Sequence, residues 1–207
     1  MDPSYVLYGR PGSGSVAVQI ALEEIGAPYE RVWVGREPEA VAHYRRLNPA
    51  GRVPALKLPE GTILAESAAI LIHLALVHPQ ARLAPEPGTP RHGEFLQWMV
   101  FLSANLYEAC LRIFYSARYS TRGEADAEAI RRQGMADFIE HTSVIAQRLS
   151  PYVLGESYSI ADSYLYMLVS WYPEPAQLEA RLPAIAAHTT RIRARPAVKK
   201  VEADNAA

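Results

Sequence analysis

Three short stretches of the 207-residue chain combine residue types that could do chemistry together. The first is Tyr8-Gly9-Arg10-Pro11-Gly12-Ser13-Gly14-Ser15, where a β-prone run stops at a turn and a helix-forming run begins. A hydroxyl at that junction, Ser13 first with Ser15 and Tyr8 in reserve, can donate to an anion that the positive end of a helix also favours. No cysteine stands in the turn, so neither a Cys-x-x-Cys pair nor a single attacking thiolate is present there. Gly12 to Ser15 could equally be a flexible turn that caps the helix. The second stretch is Asn48 to Leu56, with Val53-Pro54 leading into an extended run. A cis bond there would turn Val53 outward and leave its N–H and C=O for a bound peptide. Read alone, Pro54 could simply end a loop. The third is Glu66-Ser67, at a strand-to-helix junction where a hydroxyl and unpaired N–H groups suit an anion. A plain serine N-cap is the ordinary alternative, and the co-occurrence of the stretches favours a ligand.

The elements that must position these residues read as follows. A strand at Tyr5 to Tyr8 precedes a helix from Ser15 that Gly26 stops, and a second strand covers Tyr29 to Val34. A helix-compatible stretch from Glu37 to Leu47 leads to the loop Asn48-Pro49-Ala50-Gly51 and a hairpin through Val53 to Leu64. Ser67 then opens an apolar helix to His78. Pro79, Pro85, Pro87 and Pro90 interrupt the pattern, and beyond them strand signals vanish. Thr89-Pro90 starts a long helix with two apolar stripes: Phe95, Met99, Leu102, Leu106, Cys110 and Ile113 on one side, Leu96, Val100, Tyr107, Leu111 and Phe114 on the other. Another helix covers about Ala125 to Leu149, Ser159 and Asp162 make a capping box, and Pro183 and Pro196 bracket a last helix. The domains expected are 1–78, a linker 79–88, and 89–207.

Composition excludes several classes. With 21 basic against 22 acidic residues, nucleic acid is not indicated as a partner. The single cysteine, Cys110, forbids an internal disulfide and fits a reducing compartment. Neither a basic n-region with an apolar stretch nor a run of the roughly 20 apolar residues that span a bilayer appears, so a soluble cytoplasmic protein is expected and no membrane partner. Arg191, Arg193, Arg195, Lys199 and Lys200 read as a solvated basic face.

Together, Val53-Pro54, Glu66-Ser67, the Pro11-Gly12-Ser13 turn and the Ser159-Ile160-Ala161-Asp162 box resemble the cytosolic glutathione transferase superfamily across nearly the whole chain. The resemblance implies an α/β N-terminal thioredoxin-like domain (βαβαββα) followed by an all-α C-terminal domain. It implies glutathione as co-substrate and no metal, with Arg52, Val53, Pro54, Glu66 and Ser67 holding the peptide. In the family the Val-Pro pair binds the cysteinyl unit, the serine takes the γ-glutamyl carboxylate, and the acidic residue before it helps fix the amino group. The turn resembles the serine-using classes, making Ser13 the donor to the sulfur. It departs from the bacterial beta class, which places a cysteine where Gly14 stands. A small hydrophobic electrophile is implied in the cleft between domains, with Tyr8, Trp98, Phe101, Tyr107, Phe114 and Tyr115 as candidate wall residues, and a two-fold homodimer is expected. Isomerisation, dehalogenation, ether cleavage or peroxide reduction on the same fold, and a non-catalytic protein-binding module, are the rival readings.

Overall fold

The computed structural model describes residues 4–206. Its first strand, β1 (Tyr5–Gly9), is the centre of a small mixed sheet ordered β2-β1-β3-β4. β2 (Tyr29–Trp33) runs parallel to β1, whereas β3 (Ala55–Lys57) and β4 (Ile63–Ala65) are antiparallel to their neighbours. A parallel pair needs a crossover, and α1 (Ser15–Ile25) supplies it. Gly26 ends α1 at φ 71, a conformation that costs glycine little. α2 (Pro38–Tyr44) precedes β3, and α3 (Ser67–Val77) follows β4 directly. Leu7, Ile20, Leu22, Leu56, Ile70 and Leu74 are buried and form the main core of this part. A smaller cluster of Val34, Tyr44 and Ala55, with Tyr8, Leu47, Val53 and Ile63 against it, forms around α2.

The chain divides into two compact units, one holding the residues up to Pro87 and those from Ala194 on, the other Gly88–Arg193. The expected helical domain ran to the C-terminus, but α10 (Pro196–Ala206) packs on α1 in the first unit. Val198 and Val201 of α10 are fully buried, and polar contacts flank them. Arg195 holds Glu24 bidentately at 2.6 and 2.9 Å, Lys200 reaches Glu23 at 2.7 Å, and Gln19 bridges Asp204 and Asn205. The basic end is therefore not a uniformly solvated face: Arg195 and Lys200 pair with acids, and Arg191 and Arg193 lie near the Tyr152 and Tyr166 rings. Pro183 and Pro196 do not bracket one last helix but open two, α9 (Pro183–Arg193) and α10, as proline does at a first helical position.

In the second unit, α4 (Pro90–Phe101) is capped by Thr89, whose hydroxyl accepts from the His92 N–H. A π-helical turn, Leu102–Leu106, joins it to α5 (Tyr107–Phe114). The first predicted stripe is buried throughout, while Val100 and Phe114 of the second are 60% and 53% exposed. α6 (Ala127–Ala146) packs along α5, and α7 (Ile160–Ser170) is nearly all buried. α8 (Pro175–Arg181) is a helix the sequence reading did not contain. The Asp162 carboxylate organises this unit, accepting from the N–H groups of Ser159 and Val153 and lying 2.9 Å from His188 Nε2. Ser163 and Tyr158 share a hydroxyl–hydroxyl hydrogen bond of 2.7 Å. Among the described residues no helix is long and apolar enough to cross a membrane.

Gly134 is where α6 comes closest to α5. A Cβ there would lie 2.9 Å from Arg112 Cβ and 3.1 Å from the Ala109 carbonyl oxygen. Gly134→Ala should thus lower stability by about 1–3 kcal/mol in urea titration with an unchanged m-value, although alanine is the better helix former.

Candidate active site

The three stretches singled out in the sequence converge at one end of the sheet. Ala55 pairs with Tyr8 on one side and with Ala65 on the other. Val53 lies two residues before Ala55, Arg10 two after Tyr8 and Ser67 two after Ala65, so all three leave the sheet at the same end. The ladder ends there. The Val53-Pro54 bond is cis, and among the described residues neither the N–H nor the C=O of Val53 makes a backbone hydrogen bond. Glu66 adopts φ 67 and ψ 112, a conformation that costs a side-chain-bearing residue about 1–3 kcal/mol and recurs at ligand sites. α3 begins directly after it, with the Ile70 N–H donating to the Glu66 carbonyl and Ser67 largely buried at the first helical position.

The loop before Val53 is held by side chains to which the sequence reading assigned no role. The Arg52 carbonyl accepts from the Tyr44 hydroxyl at 2.9 Å and from Asn48 Nδ2 at 2.7 Å. Asn48 Oδ1 in turn accepts from the Ala50 N–H, an Asx turn. Burial pushes the Tyr44 phenol up from its ordinary pKa, so it remains a donor. The Asn-Pro pair was a visible signal for such a turn, but nothing in sequence tied Tyr44 to Arg52. The Arg52 side chain itself is exposed.

Ser13 and Ser15 form the core of the α1 turn. Their hydroxyl oxygens are 2.9 Å apart, and each hydroxyl reaches the Arg10 carbonyl, at 2.7 Å for Ser13 and 3.1 Å for Ser15. The Arg10 N–H donates to both oxygens at 3.3 Å. Ser15 is buried and Ser13 half-buried. The Arg10 guanidinium crosses to the loop before α2, donating to the carbonyls of Val34 at 3.0 Å and Gly35 at 3.1 Å. Tyr8 takes no part in this turn: its ring packs in the α2-side cluster, 6.1 Å from that of Tyr44.

The five residues of the helical unit expected to line an electrophile site differ in burial and in packing. Trp98 is buried, edge-on to Phe101 at 5.5 Å, and Phe101 meets His141 at 5.8 Å. Tyr107 packs edge-on to Trp171 at 5.3 Å. Phe114 and Tyr115 are exposed, with the Arg118 guanidinium 4.2 Å over the Tyr115 ring. None of the five lines the open groove of about 600 Å³ beside Met135, Ile139 and Tyr172. Cys110 is buried, which pushes its thiol up to about 12 and leaves it without thiolate at neutral pH.

Residues 15–76 match the family described as Glutathione S-transferase, N-terminal domain, and residues 104–204 match Glutathione S-transferase, C-terminal domain. The Escherichia coli (strain K12) "Uncharacterized GST-like protein YncG" is 30% identical over 173 residues, covering 81% of this chain and 82% of that protein. The chain belongs to the glutathione S-transferase family. Escherichia coli O157:H7 "Glutathione S-transferase GstA" is 29% identical over 197 residues, 93% of this chain and 94% of the relative. Among solved structures, a glutathione transferase homologue from sulfitobacter with bound glutathione superposes with a TM-score of 0.87 at 30% identity, covering 98% of each chain. A sphingomonad glutathione S-transferase complexed with glutathione gives 0.82 at 31% identity, covering 97% of this chain and 98% of that one. The small mixed sheet with its helices, followed by a helical unit, is thus the thioredoxin-like glutathione S-transferase fold.

Within this family member, Arg10 links the α1 turn to the loop before α2 through hydrogen bonds from a charged donor. Arg10→Met should cost about 1–3 kcal/mol in denaturant titration and speed amide exchange at residues 34 to 37 relative to the rest of the sheet.

Proposed function

We propose that the protein is a glutathione transferase that binds glutathione at the end of the sheet and presents its sulfur as thiolate to an apolar electrophile. The observation that carries the reading is the convergence of Val53, Glu66-Ser67 and the Ser13 turn at one edge. Glutathione is a small peptide, and its cysteinyl unit can pair with the N–H and C=O of Val53 as an added strand. Its γ-glutamyl carboxylate suits the N-terminus of α3 at Ser67, and Glu66 offers a carboxylate for the amino group. Arg52 and Pro54 border the same edge. The thiol then comes to the start of α1, where the dipole and a hydroxyl favour the charged form. Ser13 is the donor in this reading, because it is half-buried where Ser15 is enclosed and Tyr8 is turned into the α2-side cluster. The glutathione-bound sulfitobacter and sphingomonad relatives support the ligand assignment.

Catalysis in this scheme comes from thiolate stabilisation and from holding the electrophile alongside the sulfur. Of the aromatic residues considered for the electrophile, Phe114 and Tyr115 keep exposed ring surface, whereas Trp98 is taken up by packing. The protein is further proposed to be a cytoplasmic two-fold homodimer, since α3 exposes Leu76 and Val77 and α4 exposes Val100, apolar residues that a partner would cover.

Retention on immobilised glutathione, followed by a screen of electrophiles, tests the reading. Turnover of an aryl or alkyl electrophile is expected. Binding without turnover of any electrophile would point to another glutathione-dependent reaction, and no binding would defeat the assignment. In Ser13→Ala the pKa of bound glutathione, read by thiolate absorbance, should rise by about one unit or more with little change in affinity. Sedimentation at micromolar concentration should give a dimer, and a monomer would remove the homodimer.

A further inference from the structure

The turn at the start of α1 contains three hydroxyl contacts but only two hydroxyl protons. Ser13 Oγ and Ser15 Oγ each reach the Arg10 carbonyl, and they also reach each other. The two protons can therefore be arranged in more than one way with every oxygen still engaged. In one arrangement Ser13 donates to the Arg10 carbonyl over the shorter distance, 2.7 Å, and Ser15 donates to Ser13 Oγ. In the other, Ser15 donates to the Arg10 carbonyl at 3.1 Å, and the Ser13 proton is no longer needed inside the turn.

Resting on the glutathione reading above, we infer that Ser15 is a positioning residue that frees the Ser13 proton for the ligand sulfur by taking over the Arg10 carbonyl. No proton changes owner in this step. Each hydroxyl keeps its hydrogen and only its direction changes. The Ser13 oxygen stays anchored while its hydrogen turns outward, because it continues to accept from the N–H groups of Arg10 and Ser15, both at 3.3 Å. A lone Ser13 would face a choice between the carbonyl and the sulfur, and turning to the sulfur would leave the carbonyl with only the Ser13 N–H at 3.3 Å. Ser15 removes that choice. It is 2% exposed, so it has no path to the ligand of its own, and its effect on the sulfur passes through Ser13.

Gly9 supports the same assignment independently. A Cβ on Gly9 would overlap Ser15 Oγ, so the missing side chain at the end of β1 makes the space in which this hydroxyl sits. Gly9→Ala should reproduce the loss of Ser15 with the serine still present.

The test is a double-mutant cycle read as the pKa of bound glutathione, with affinity measured in parallel by calorimetry. Ser15→Ala should raise that pKa by about half a unit or more. The Ser13→Ala/Ser15→Ala double variant should show no further rise beyond Ser13→Ala alone, since Ser15 acts only through Ser13. Gly9→Ala should shift the pKa in the same direction as Ser15→Ala. A Ser15→Ala protein that binds glutathione with an unchanged thiol pKa overturns the inference, and so do additive shifts in the double variant. If the unmodified protein binds no glutathione, the ligand assignment falls and this inference with it, an outcome the calorimetry separates from the others.

Discussion

A buried peptide group must find hydrogen-bond partners wherever the ladder that served it ends, and the peptide groups of Arg10 face that requirement at the end of β1. Val53, just outside β3, makes no backbone hydrogen bond with them, and the two serine hydroxyls together with the Ser13 N–H supply the partners instead. This substitution leaves the Val53 backbone, which precedes β3, without a sheet partner while fixing the first turn of α1. Had the β1–β3 ladder continued by two more residues, Val53 would be consumed by the sheet. Val53 stays outside the ladder where side chains satisfy the backbone that another strand would otherwise serve.

The same logic operates on the other side of Val53. Tyr44 and Asn48 take the Arg52 carbonyl, and the strained Glu66 ends β4 so that α3 can begin at Ser67. A non-glycine residue at positive φ is held there by its surroundings, in this case the pairing of Ala65 on one side and the first α3 hydrogen bond on the other. Rigid support from both directions is what a main-chain binding edge requires, because a mobile edge would have to be ordered by each ligand it received.

Much of this was legible in the sequence, for reasons that differ by residue. Element order followed from periodicity and from stop signals with direct backbone causes, such as Gly26 after α1 and Thr89-Pro90 before α4. Val53-Pro54 and Glu66-Ser67 stood out because proline and a junction serine restrict the backbone around themselves. Tyr44 and Asn48 did not, since their role is defined by the Arg52 carbonyl, a group every residue carries. The exchange between Ser13 and Ser15 was also invisible, because it depends on distances of a few tenths of an ångström. The placement of α10 was misread for another reason: Arg195 and Lys200 look like a solvated basic face until Glu24 and Glu23 on α1 are placed opposite them.

The helical unit was the harder part, and its chemistry explains why. Its aromatic residues satisfy one pattern, an apolar stripe at helical spacing, whether they pack or bind. Trp98 and Phe101 turn out to be packed on one another, Phe101 also on His141, and Tyr107 on Trp171. Polar residues in this unit are specific, but for architecture: Asp162 collects two backbone donors and His188 at one buried point and so joins the segment at Val153 to α7 and α9. A glutathione site must match one fixed peptide and therefore imposes a recognisable backbone signature. An electrophile site must tolerate varied apolar molecules, and tolerance is achieved with residues whose types carry no signature. Exposed aromatic surface, as at Phe114 and Tyr115, is left over by packing and appears only once the fold is known.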